Sequence, residues 1–234
     1  ITADHILQFL IHETEGQKPA TKCFKYTLLK NLFNFLKNSA DPSLSNPCET
    51  HILKKSFRLP KGRQWTILEK DVVDEIIFRT DNLRNRVMLE LMARGGMRIG
   101  EVLNLKVRDV EDCKLYLTSP KSGRQNEVVF IPKKVAGRLR DYIRSKNMTS
   151  DERIFPLGYS GARLIVKKAG RMIGVELAPH DLRRHAATYA SRWGAPIEIV
   201  SKIILRHANL STTQRYLGKV SDTEATRWIE NIFS

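Results

Sequence analysis

The sequence predicts a mainly α-helical chain with one small antiparallel sheet, an α+β fold in two domains. Three observations predict it. Apolar residues recur at three- and four-residue spacing along most of the chain. Two short alternating runs near the middle flank a segment with Pro120 and Gly123, the pattern of a hairpin. A basic stretch, Leu59-Pro60-Lys61-Gly62-Arg63, separates an N-terminal helical part from the rest, and its Pro and Gly disfavour a helix there.

In order along the chain, residues 3–13 and 20–36 read as helices, with Ile6, Leu7, Leu10 and then Leu28, Leu29, Leu32, Phe33 and Leu36 as their apolar stripes. Residues 41–47 (DPSLSNP) are a turn-rich break, and residues 50–57 read as a further short helix. Residues 1–58 form the first domain, 59–65 the linker and 66–234 the second domain. That second domain opens on Thr66-Ile67-Leu68-Glu69, which has the spacing of a capping box for a helix over 72–78. Helices over 84–92 and 99–105 follow, parted by Gly95-Gly96. The strands are placed at 114–118 and 127–131. Further helices are expected at 133–146, 160–173, 181–193, 197–205 and 212–217. Gly194 is read as a helix stop, Pro196 as first-turn proline, and Ser211 or Thr212 as the cap before residue 216. Residues 222–233, with Trp228, Ile229, Ile232 and Phe233, read as an amphipathic terminal helix entered through a Ser221-x-x-Glu224 box. It suits docking on its own domain and on a neighbouring subunit equally well.

Charge narrows the partner. The 234 residues carry 40 Lys and Arg against 25 Asp and Glu, a net +15. The excess is shared by both parts, so it is not one basic tail. A polyanion is the natural counterpart, because each neutralised phosphate releases counterions. No apolar run approaches the ~20 residues of a membrane span. The cysteines Cys23, Cys48 and Cys113 are odd in number, scattered and without a C-x-x-C pair, which argues against a disulfide framework or structural zinc and fits a reducing cytoplasm. The chain starts at Ile1 rather than Met, with no signal-peptide pattern after it, and reads as one whose natural N-terminus has been removed.

The candidate chemistry lies in the second domain. His180 and Arg183, three apart at a helix start after Pro179, share a face and can grip an anion, although a His and an Arg on a solvated face look the same. Arg98 is followed three residues later by Glu101, as a brace for its guanidinium or as an ordinary surface ion pair. Lys121 stands in the hairpin loop. His207 ends one helix, and Tyr216 follows nine residues later on the next short helix. Each signal alone has a bland explanation. The order and spacing together do not.

In the text GGMRIGEVLNL, TSPKSGRQNEVVFIP and PHDLRRHAATYASRWGAPIEIVSKIILRHANLSTTQRYLG, the chain resembles the tyrosine recombinases, the lambda-integrase family. The resemblance covers roughly residues 66–220, and residues 1–58 resemble more weakly the helical core-binding domain of that family. It implies a site-specific DNA recombinase that cuts and rejoins strands through a 3′-phosphotyrosine intermediate, with no metal and no ATP. It implies six catalytic positions. Arg98 and Arg183 hold the scissile phosphate, His180 and His207 assist by hydrogen bonding and proton handling, Lys121 is the general acid, and Tyr216 is the nucleophile. Glu101 is a supporting residue. Arg124 lies close to Lys121 in the same loop. Arg206 departs from the Gly that many relatives carry before the histidine. The implied partners are double-stranded DNA and three further copies, a homotetramer on two DNA sites, with an accessory DNA-bending factor left open. Competing readings are a type IB topoisomerase, which shares the attack chemistry, and a catalytically silent DNA-binding protein of the same fold. An RNA-binding module has no RNP-like or KH-like text to support it.

Overall fold

A computed structural model describes residues 1–59, 67–117, 127–217, 226, 229 and 230, the side chains of Arg215 and Tyr216 excepted. The chain divides into two units, Ile1–Gln64 and Trp65–Ser234.

In the first unit, α1 (Ala3–Glu13) begins where Thr2 accepts a hydrogen bond from the His5 amide. Pro19 starts α2 (Pro19–Ser39), where its missing N–H costs nothing. A short 3₁₀ turn at Pro47–Glu49, capped by the Asn46 side chain, leads into α3 (His51–Ser56). The core is small: Ile6, Leu10, Tyr26, Cys48, Leu53 and Phe57. Tyr26 stacks on Phe57 and donates from its hydroxyl to the Cys48 carbonyl at 2.9 Å. The α2 stripe differs from the one read in the sequence. Tyr26, Leu29 and Phe33 face the core, whereas Leu28, Leu32 and Leu36 are exposed. The neighbouring elements are short and cover only a narrow arc of a 21-residue helix.

The second unit is built around α5 (Leu83–Arg94), buried along Val87–Ala93 and packed against α4 (Lys70–Phe78), α7 (Lys133–Ser145) and α9 (Pro179–Arg192). Completing it are α6 (Ile99–Asn104), α8 (Tyr159–Arg171) and α10 (Leu210–Leu217). The sheet has three antiparallel strands in the order β1 (Val110–Glu111), β2 (Lys114–Leu117), β3 (Glu127–Phe130), with Leu115 opposite Val129 and Leu117 opposite Glu127. Leu115, Leu117 and Val129 point into the core, and Phe130 faces out, as the period of two requires. The two-residue β1 is too short to announce itself in the sequence.

Three local expectations are corrected. α4 starts at Lys70, two residues before the helix read over 72–78; Glu69 precedes it without making a side-chain cap and accepts from Arg192 at 3.1 Å, while Thr66, the other end of the box, lies outside the described residues. The α10 helix starts two residues early, at Leu210. Asn209 caps it by accepting from the Ser211 amide at 3.0 Å, ahead of Ser211 or Thr212. The run expected as one helix over 197–205 opens with a single helical step and continues as a π-helix, Ile199–Ile204. Gly194, at φ +88°, ends α9 as expected. The linker apart from Leu59, the hairpin tip with Lys121 and Arg124, and the Ser221-x-x-Glu224 box lie outside the described residues, as does the terminal helix save 226, 229 and 230.

Candidate active site

Gly95 and Gly96 end α5 because nothing larger fits. A Cβ on Gly96 would stand 2.8 Å from the Ile204 carbonyl, and the residue adopts φ +60°. This close approach seats the π-helix beside the turn into α6. Arg98 is the residue before α6. The Glu101 carboxylate reaches back to its amide at 2.8 Å and to its guanidinium at 2.6 Å. The surface-pair explanation of this spacing does not hold, because the Glu101 side chain is 8% exposed.

From the other side, α9 brings His180 and Arg183. Pro179 occupies the first helical position, and Asp181 accepts from the Ala178 amide at 2.8 Å. The helix face expected for 180 and 183 is formed. Arg98, Glu101, His180 and Arg183 line one cleft of about 660 Å³, together with Lys106, Tyr116, Arg153 and Tyr159. Arg183 is 1% exposed. Its guanidinium donates to the carbonyls of Gly96 and Leu205, so it ties the α5–α6 turn to the end of the π-helix. Arg98 is the more open of the two arginines, with a side chain 26% exposed.

Arg206 plays a larger part than its sequence position suggested. It is buried at φ +50° and donates to Glu101 at 2.6 Å and to the Ile204 carbonyl at 2.8 Å; its Nε lies 3.7 Å from Glu127 at the start of β3. Glu101 thus joins Arg98 and Arg206, with Arg183 at 4.0 Å. Burial alone raises the Glu101 pKa. Arg206, the Arg98 amide and guanidinium, and Arg183 outweigh it and hold the carboxyl below its ordinary value.

His207 follows directly. Its ring Nδ1 lies 3.0 Å from Thr213 Oγ1, and Thr213 donates to Ser201 Oγ at 2.8 Å. Burial first, then the charges of Arg183, Arg98 and Arg206, push the His207 pKa down to about 4. His180 is exposed at the cleft; partial desolvation, then Arg183, Arg184 and Arg98, lower its pKa against the pull of Asp181. Both rings are therefore neutral, able to accept a proton, near pH 7.

The backbone of residue 216 stands on α10. That helix is anchored by the buried Thr213 and by Leu217, which packs against the Ala187, Val200 and Leu205 cluster. It docks on α9 and the π-helix, the elements that carry Arg183 and lead to His207. The Tyr216 side chain and Lys121 lie outside the described residues. Of the seven predicted positions, then, five are brought together as side chains and one as backbone. The sequence reading missed Thr213, whose only signal was the hydroxyl-rich stretch 211–213, and Ser201, which had none.

Residues 66–222 match the family model described as the phage integrase family. The chain belongs to this family, that of the tyrosine recombinases. Tyrosine recombinase XerA of Pyrococcus horikoshii is 32% identical over 171 residues, covering 69% of this chain and 59% of that protein. Tyrosine recombinase XerD of Halalkalibacterium halodurans is 27% identical over 232 residues, covering 92% of this chain and 77% of that protein. The chain spans 59% and 50% of the XerA proteins of P. horikoshii and Thermococcus kodakarensis. Among solved structures, the Tn1549 transposon integrase in complex with transposon right-end DNA matches with a TM-score of 0.79 at 12% identity, covering 100% of this chain and 86% of that one. The XerH site-specific recombinase in a post-cleavage complex with palindromic difH matches at 0.74 and 19%, covering 99% and 72%. These two likenesses show the tyrosine-recombinase fold. Among the described residues no helix is long and apolar enough to cross a membrane, and no group of three or more His, Cys, Asp or Glu is placed to hold a metal ion.

Proposed function

We propose that this chain is a site-specific DNA recombinase that cleaves and rejoins strands through a covalent 3′-phosphotyrosine on Tyr216. The observation that carries the reading is the convergence of Arg98, His180 and Arg183 on one cleft, with His207 and the helix bearing residue 216 docked on the same elements. Family membership and the naming of the relatives as tyrosine recombinases support it.

A phosphodiester is anionic, and attack builds a five-coordinate phosphorane of greater charge. Guanidinium forks neutralise it through paired hydrogen bonds in a geometry that ammonium groups lack. Donors fixed before the reaction begins contribute on the order of 3 kcal/mol each. Arg98, braced by Glu101, is held in this way. Arg183 supplies buried charge beside it and fixes the turn that carries Arg98. A free tyrosine has a pKa near ~10, so at neutral pH the phenol must lose its proton as it attacks. A neutral histidine amid guanidiniums is a suitable acceptor. Lys121, on the loop between β2 and β3, protonates the departing 5′-oxygen. The energy of the broken ester is kept in the phosphotyrosine, so a 5′-hydroxyl from another strand can reseal it. Neither ATP nor a metal is called for by this chemistry. Double-stranded DNA is the substrate, and exchange between two sites engages four protomers, with or without an accessory DNA-bending factor. The first unit is a core-binding domain and the second the catalytic one. The working compartment is the cytoplasm.

The test is a nicked suicide substrate that traps the adduct. A covalent protein–DNA band is expected on a denaturing gel, lost in Tyr216→Phe. An adduct that survives Tyr216→Phe refutes the assignment of the nucleophile. Relaxation of supercoils without recombinant product would favour the topoisomerase reading.

A further inference from the structure

Lys106 and Arg153 line the same cleft as Arg98 and His180, and nothing above gives them a task. The Ile154 amide donates to the Leu105 carbonyl at 2.9 Å, and the Val107 amide to the Glu152 carbonyl at 3.2 Å. These bonds make Lys106 and Arg153 directly opposed residues of an antiparallel bridge, in the register where no hydrogen bond joins the pair itself. In that register the Cα atoms are about 4.5 Å apart and the side chains leave on one face. Like charges so placed repel each other. Lys106 reaches Asp151 at 3.9 Å, but Asp151 is exposed and also binds Arg108. Among the described residues Arg153 has no carboxylate within ion-pair distance. The cleft as a whole holds four cationic side chains, those of Arg98, Lys106, Arg153 and Arg183, against the carboxylates of Glu101 and Asp109. Glu101 is engaged by Arg98 and Arg206, and the buried Asp109 accepts from the Lys106 amide at 2.9 Å. An anion seated at Lys106 and Arg153 relieves a repulsion that the fold leaves standing.

Arg98 opens α6 and Lys106 follows its end, so the two flank a six-residue helix about 9 Å long. A DNA strand rises about 3.4 Å per nucleotide, so that length spans up to roughly three of them. We propose, resting on the DNA-cleaving reading above, that Lys106 and Arg153 form a second phosphate seat. It takes a phosphodiester of the cleaved strand roughly one to three nucleotides from the phosphate held at Arg98. The Arg153 fork pairs with two phosphate oxygens, and Lys106 adds a point charge beside it. Because the backbone bridge fixes both residues, the seat exists before DNA arrives and holds the strand at a set distance from Arg98.

The experiment has two arms, each run on the parent and on the double variant Lys106→Gln, Arg153→Gln. In the first, thymidine oligomers of increasing length, starting from the mononucleotide 3′-phosphate, are titrated into the ¹⁵N-labelled full chain and followed by amide NMR. Expected in the parent is a step in affinity of about 4-fold where the added phosphate reaches the seat, the counterion share of one phosphate near 0.15 M salt. The double variant should lose that step and bind the mononucleotide as the parent does. The second arm measures the affinity of a random-sequence duplex of about 30 base pairs against potassium chloride concentration. The slope of log affinity on log salt should be shallower by about 1 in the double variant, the share of one phosphate contact. The variant should also melt no lower than the parent, because two like charges have been removed from opposed positions. A step that survives in the double variant, a salt slope equal to the parent's, or a lowered melting midpoint overturns the proposal. So does a mononucleotide affinity that falls with the rest, the mark of a general loss of positive charge. An adduct that persists in Tyr216→Phe overturns the function instead and leaves both binding results standing.

Discussion

Arg206 and Glu101 lie 105 residues apart in sequence and 2.6 Å apart in space. That contact makes the Glu101 carboxylate the shared anion of three guanidiniums. Its removal leaves those cations close together in a buried site. Glu101→Gln keeps the volume and loses the charge. It should lower stability by about 3 kcal/mol, in the range for breaking a buried ion pair from one side. Urea unfolding of parent and variant measures this. A loss under about 0.5 kcal/mol, the size of an ordinary surface substitution, would show that the cluster is neutralised by something other than Glu101.

The backbone of Arg206 gives an internal control for the same contact. At φ +50° a side chain is strained, and glycine is not. Arg206→Ala and Arg206→Gly both lose the bonds to Glu101 and to the Ile204 carbonyl, but only the alanine keeps the strained backbone. The glycine variant should therefore be the more stable by about 1 kcal/mol, the cost of a left-handed residue. Equal stabilities would mean that the turn relaxes once the guanidinium is gone.

The ease of reading the site in sequence followed the range of its contacts. Arg98 with Glu101, and His180 with Arg183, are spaced three apart, and helical geometry alone puts each pair on one face. The ties of Arg206 to Glu101 and of Arg183 to the Gly96 carbonyl join segments that no local pattern connects. The hydroxyl chain from His207 to Ser201 is hidden for the same reason. In the fold, α5 was legible because its apolar residues are dense. The α2 stripe was misjudged because periodicity names a face without saying how much of it a small core covers. The π-helix at Ile199–Ile204 was read as α because the two differ by a single residue of hydrogen-bond reach.

Gly96 should tolerate no side chain. Gly96→Ala meets the Ile204 carbonyl at 2.8 Å and keeps φ +60°. Strain and overpacking together should cost roughly 2–4 kcal/mol. The turn also presents its carbonyl to Arg183 and leads into Arg98, so adduct formation should slow even where the protein remains folded. Thermal unfolding and the adduct assay, run on one preparation, separate the two effects. A fully stable variant with parental kinetics would show that the π-helix yields to the new methyl group.

Acid should destabilise the protein well above the range where carboxylates titrate. In the unfolded chain the His207 ring takes up a proton near its ordinary 6.5; in the folded chain burial and three guanidiniums delay it to about 4. Between those values the unfolded state binds more protons, so stability falls as pH is lowered through the window. His180 and His185, also shifted down, push the same way. Glu101 adds a later loss: its depressed pKa stabilises the fold above about 4.5, and that contribution goes as the carboxyl is protonated below it. His207→Gln cannot take up the proton, so its urea midpoint should fall less than the parent's between pH 6.5 and 4. The midpoints of both proteins, measured at half-unit intervals of pH, decide the matter. Parallel curves would mean that the His207 ring titrates alike in the folded and unfolded chains, and that the guanidiniums around it are screened from it.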